Sequence, residues 1–245
     1  GALWAMAGVL VVTAVALVVL LDEDIGRSKR KPPLRSLLSK SPAINRLSAA
    51  RFFLFGSRDI WFVVALPVFL SDQLGWSHRQ VGAFLAMWVI GYGVVQSFAP
   101  RWLARRGRDV DEVRAAQHWA LVLAGVSALI AVLVGADVAV RVAVVAGLVV
   151  FGVVFAMNSS LHSYLVLAYS DDDEVALDVG FYYSANAAGR FVGTLLSGVL
   201  YLWGDLAAAL WGSAAFVVVT WLCTLRLPPV PADVRVSLAA VDGGD

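Results

Sequence analysis

An all-α bundle of membrane-spanning helices is the fold this sequence predicts, and three observations lead to it. The chain of 245 residues is 60% hydrophobic and only 15% charged, with a mean hydropathy of +0.79, which lies outside the range of a soluble domain. Its apolar residues gather into seven stretches, each long enough to cross a hydrocarbon core of about 30 Å at about 1.5 Å per residue. The alternation of a barrel is missing, and open strands cannot satisfy their backbone in lipid, so all seven are read as helices.

Taken in order, the first stretch covers 2–21. It leads into the only long connection, 22–46, which is basic and carries Pro32 and Pro33, and so reads as a linker. Spans at 47–71, 81–100, 116–136, 142–169, 176–203 and 206–225 follow, the second interrupted by Pro67, which is expected to bend it. A tail, 226–245, with prolines and a Gly-Gly-Asp end reads as an extension without a packed core. The four segments expected are therefore 1–21 as the last helix of a preceding half, 22–46 as linker, 47–225 as a six-helix bundle and 226–245 as tail.

Orientation follows the placement of lysine and arginine. Of 19 such residues, fourteen fall on one side: Arg27 to Arg46 in the first connection, Arg101 to Arg114 in the third, and Arg226 and Arg235 in the tail. Only Arg79 and Arg141 lie opposite, and Arg51, Arg58 and Arg190 are inside spans. The basic side, and with it the C-terminus, is expected in the cytoplasm of a multi-pass protein of the cell's inner membrane. The chain then starts outside with no methionine before its first span, as a piece of a larger permease would. The clustered basic loops alternate strictly with spans, so topology and anionic lipid explain them without nucleic acid. Cys223 has no partner and reads as a small core residue.

Charges inside spans carry the functional reading, because an ion in hydrocarbon is costly enough to mark a transport or binding pathway. Arg58 lies about 16 Å into its span at about 1.5 Å per residue, near the midplane, and Arg51 is seven residues earlier on nearly the same face. In the sixth span Asp178, Tyr182, Asn186 and Arg190 recur at four-residue spacing as a polar stripe. The fifth span carries Asn158, Ser159, Ser160, His162 and Ser163, with Asn158 and His162 one turn apart.

Arginines backed by amide and hydroxyl donors suit a phosphate-like or carboxylate group, since guanidinium donors match such oxyanions in pairs. Arg58, Arg190, Asn158, His162, Asn186, Tyr182 and Arg51 are the candidate substrate contacts; Asp59 and Asp178 are candidates for proton coupling or counter-charge. Each has a plainer reading. Arg58 pairs with Asp59 or Asp178 as a structural ion pair, Arg51 snorkels toward lipid headgroups, and His162 bonds across helices. Trp88, Tyr92 and Gln96, spaced by four, form either an aromatic wall or packing. Gly189, Gly193 and Ser197 make a small-residue face for close approach of a neighbouring helix.

Four blocks, LSAARFFLFGSRDIWFVVAL (47–66), WVIGYGVVQSFAP (88–100), NSSLHSYL (158–165) and LDVGFYYSANAAGRFVGTLLSG (177–198), resemble the organoarsenical efflux permeases of the major facilitator superfamily, the ArsJ type. The resemblance implies a twelve-helix exporter of an arsenate ester of phosphoglycerate, made in the cytoplasm by a glyceraldehyde-phosphate dehydrogenase and conferring arsenate resistance. This chain would supply the sixth helix, the central loop and the C-terminal six helices, and its partner would be the missing N-terminal six-helix half. LARRGR (103–108) is similar to the basic loop motif of the superfamily but has Arg105 where an acidic residue is usual.

The expected mechanism is alternating access, two six-helix bundles rocking around a midplane site. No catalytic residue, cofactor or metal site is assigned. The runner-up is an exporter of another organic anion or a drug. From other classes, a seven-helix receptor-like protein fits the count, although no span holds a lysine for a retinal Schiff base. A hydrolase using Ser160 or Ser163 with His162 lacks the GxSxG and HExxH signatures.

Overall fold

The computed structural model of the chain describes residues 2–20, 41–104, 111–170 and 175–230, all of it helix and short connection. The chain divides into two units, 1–37 and 38–245. The first contributes α1 (Ala2–Leu20), whose side chains, such as Trp4, Leu10 and Leu20, are exposed apolar surface.

The second unit begins with α2 (Pro42–Phe62), where Pro42 sits at a first-turn position that needs no N–H. It continues as α3 (Ala65–Asp72) after a break at Val63 and Val64. The break falls just before Pro67, which has no amide to donate and whose ring opposes the carbonyl four residues back, so the helix is interrupted where the bend was expected. Ser197 Oγ accepts from the freed Val64 and Ala65 amides at 3.3 and 3.0 Å.

The bundle is completed by α4 (His78–Ala104), α5 (Glu112–Gly135), α6 (Val140–Tyr169) and α7 (Val175–Thr224). Asp111 caps α5, accepting from the Val113 and Arg114 amides at 3.1 Å each. The 50 residues of α7 are broken at Gly204 and Asp205, where Asp205 takes a positive φ of 54°, into arms 175–203 and 206–224. These arms match the last two expected spans. The count of seven separate spans becomes five candidates among the described residues. The last two apolar stretches form one interrupted helix, and the described apolar run of α1, Trp4–Leu17, is shorter than the roughly 20 residues a crossing takes. Residues 22–40 of the expected linker, the loop motif from Arg105 onward, the acidic connection 171–174 and the tail from 231 lie outside the described residues, whereas the last part of the expected linker, 42–46, is already helical as the start of α2.

Within this unit α2 packs chiefly on α7, α5 on α7 and α6, and α4 on α6. An aromatic cluster of Trp61, Phe62, Trp88, Phe151 and Phe155 fills the middle, with the Trp88 indole donating to the Leu148 carbonyl at 2.8 Å. The outward faces are the reverse of a soluble protein's. Met87, Ile90, Phe98, Val142, Phe191 and Leu195 are all exposed, the surface of a multi-pass membrane protein that meets lipid.

Candidate functional site

The site depends on how closely α2 and the first arm of α7 approach. A Cβ on Gly189 would overlap the Phe52 backbone, one on Gly193 would come within 2.5 Å of the Gly56 carbonyl, and one on Gly56 within 3.0 Å of the Gly189 carbonyl. Three glycines thus let two backbones touch where side chains would hold them apart, the role expected of the Gly189, Gly193 and Ser197 face. The crossing brings Arg190 of α7 beside Asp59 of α2.

Asp59 is buried and bridges two cations. Its Oδ1 accepts from Arg58 Nε at 2.7 Å, with Arg58 Nη2 also at 2.7 Å, and its Oδ2 accepts from Arg190 Nε at 2.9 Å. Exposure falls steeply across the group, from 53% for the Arg190 side chain through 13% for Arg58 to 2% for Asp59. Two guanidinium groups share one carboxylate, leaving an excess positive charge. The terminal nitrogens of Arg190 make no hydrogen bond or ion pair among the described residues. The ion pair expected of Arg58 therefore forms, with a second arginine attached to it.

Arg51 forms a second centre. It does not snorkel outward: it is 3% exposed and donates from Nη1 to the carbonyl and hydroxyl of Ser159 on α6, both at 3.2 Å. Its guanidinium stacks on Phe55 at 3.9 Å and Tyr182 at 4.8 Å, and its Nε has no partner among the described residues. No carboxylate pairs with it among them, so this buried cation is held by aromatic faces and neutral oxygens.

Phe55 joins the two centres, since the Arg58 guanidinium also lies over its ring at 5.2 Å and over Phe155 at 5.6 Å. Phe55 and Phe155 were not read from the sequence as site residues. Phe55 is four residues after Arg51 and three before Arg58, on the face they share, and this spacing was the available signal.

The remaining candidates are placed as follows. Tyr182 is fully buried against Arg51, and Asn186 is half-buried between Tyr182 and Arg190 along α7, its Oδ1 without a partner among the described residues. Asn158 is fully buried and its amide donates to Ala116 of α5 at 3.4 Å, a helix-to-helix link. His162 is fully buried, with neither ring nitrogen hydrogen-bonded among the described residues. Asp178 is buried near the start of α7. Ser163 donates to the Ser159 carbonyl at 3.0 Å and Ser160 has no partner there, so the serine–histidine pair a hydrolase needs is not formed. Trp88 and Tyr92 stack at 5.7 Å and line an apolar groove with Gly152 and Val153, where no charged group is present to select an ion.

The family model of the Major Facilitator Superfamily matches residues 47–241, most of the chain. The chain belongs to the Major Facilitator Superfamily. A search of curated proteins gave no match. Membership assigns this facilitator to membrane transport, with a small molecule as cargo and a lipid bilayer as its setting. It favours a transporter over the receptor-like alternative.

Proposed function

We propose that this facilitator forms the C-terminal half of an exporter of a small organic oxyanion, and that the cargo is an arsenate ester of phosphoglycerate. The observation that carries the anion reading is the unbalanced cluster in which Arg58 and Arg190 share Asp59, with Arg51 buried beyond Phe55 and lacking a carboxylate partner among the described residues. Cationic groups held in a membrane protein at the cost of desolvation are retained where they meet a charge of the other sign. The choice of organoarsenical cargo rests on the resemblance of the four sequence blocks. It implies a glyceraldehyde-phosphate dehydrogenase as the source of substrate and an N-terminal half as the other wall of the site.

In this reading Arg190 and Arg58 receive the oxyanion, Arg51 and Tyr182 close the deeper end, Asn186 adds an amide donor, and Asn158 and His162 support the wall on α6. Asp59 and Asp178 supply the counter-charge or the coupling proton. The basic loops set the orientation in the inner membrane, with the C-terminus in the cytoplasm and export outward.

Cells given arsenate and expressing the dehydrogenase should retain less arsenic when the complete permease is present; equal retention excludes this cargo. Arg58→Ala and Arg190→Ala should each abolish export while membrane insertion persists. Normal export from both removes the anion site. A second reading, export of another organic anion such as a sugar phosphate, uses the same charge pattern and is separated by the identity of the retained compound.

A further inference from the structure

We infer that Asp59 is a built-in surrogate for the cargo: its carboxylate occupies the guanidinium donors of Arg58 and Arg190 in the empty carrier, and an incoming oxyanion replaces it. This rests on the proposed anion reading and deepens it by assigning the carboxylate a competitive role.

The geometry supports replacement over a permanent lock. Asp59 satisfies only Nε of Arg190, at 2.9 Å, and leaves the two terminal nitrogens, the donors best shaped for a second oxyanion, uncommitted among the described residues. On the other side both Arg58 contacts converge on a single oxygen, Oδ1, at 2.7 Å. The exposure gradient sets the order of events. An anion reaching this cluster meets the half-exposed Arg190 first and the buried Asp59 last. The glycine contacts of Gly56, Gly189 and Gly193 hold the two backbones together, so the exchange falls on the side chains and not on the separation of α2 and α7.

A carboxylate that competes for both guanidinium groups weakens anion binding in the resting carrier, which a transporter needs in order to release its cargo. A merely structural ion pair gives the opposite behaviour on removal: loss of order with no gain in anion affinity.

The test uses the purified full-length transporter carrying this chain, with inorganic phosphate as probe and chloride as control. Asp59→Asn should bind phosphate at least tenfold more tightly than the wild type by thermal-shift titration, while Asp59→Glu, which keeps the competing charge, should stay within threefold of it. In the wild type, phosphate should increase the labelling of Asp59 by a hydrophobic carbodiimide, read by peptide mass spectrometry, because the displaced carboxyl loses its partners. Phosphate that shields Asp59 or leaves its labelling unchanged overturns the proposal, and this readout decides if Asp59→Asn does not fold. Phosphate affinity unchanged in a folded Asp59→Asn protein also overturns it. Failure of the arsenic export assay with the carbodiimide response intact removes only the cargo assignment, whereas normal export with no response removes only the exchange.

Discussion

Asp59 sits where the crossing of two helices would otherwise leave two guanidinium groups facing each other, and its placement shows how an ionic residue is tolerated between apolar helices. Neither arginine is neutralised in full, because the one carboxylate is divided between them. Arg51 solves the same problem differently. With Phe55 and Tyr182 against its planar face and Ser159 at its edge, it relies on stacking that a lysine cannot reproduce, since an ammonium is a compact point charge. Arg51→Lys should therefore retain the charge yet lower export at least about tenfold, equivalent to about 1.4 kcal/mol. Initial efflux rates at matched membrane levels check this, and wild-type rates would show that charge alone suffices.

At the scale of elements, the contact of α2 with α7 and the break at residues 63–64 act as one unit. The glycines bring the helices together, Pro67 opens the backbone of α2, and Ser197 of α7 caps the amides that are freed. Gly189→Ala forces a methyl into the Phe52 backbone, an overpacked contact that should cost about 1–3 kcal/mol and lower the melting temperature measurably. It should also impair export, because the pair between Asp59 and Arg190 forms across this crossing. Gly180→Ala, on the same helix but in open space, is the control: the better helix former should be neutral or stabilising by about 0.5–1 kcal/mol. Equal melting temperatures for the two variants would show that the crossing is not tight.

At the largest scale, the unit 38–245 combines apolar outer faces, suited to lipid, with a buried ionic seam between α2, α6 and α7. The orientation proposed from the basic loops is open to direct labelling in a Cys223→Ser background. Cysteines at Gln73 and Ala136, both exposed in connections on the side poor in lysine and arginine, should react with an impermeant maleimide in intact cells. A cysteine at Pro229, exposed at the opposite end, should react only after permeabilisation. The reverse pattern would invert the direction of transport.

The sequence by itself determined the helical membrane class, the apolar stretches between residues 47 and 225 though not the number of separate spans, the interruption before Pro67 and the small-residue face of α7. These follow from hydropathy and backbone chemistry, which add up locally along the chain and need no knowledge of neighbours. It also singled out Arg51, Arg58, Asp59 and Arg190, because a charge inside an apolar run is conspicuous wherever it points. Tertiary structure alone decided their partners. Arg190 meets a carboxylate 131 positions away, Arg51 turns inward between aromatic rings, and Asn158 turns toward α5. Each outcome depends on the rotation and separation of whole helices, set by backbone contacts at Gly56, Gly189 and Gly193, and periodicity within one helix carries no record of either.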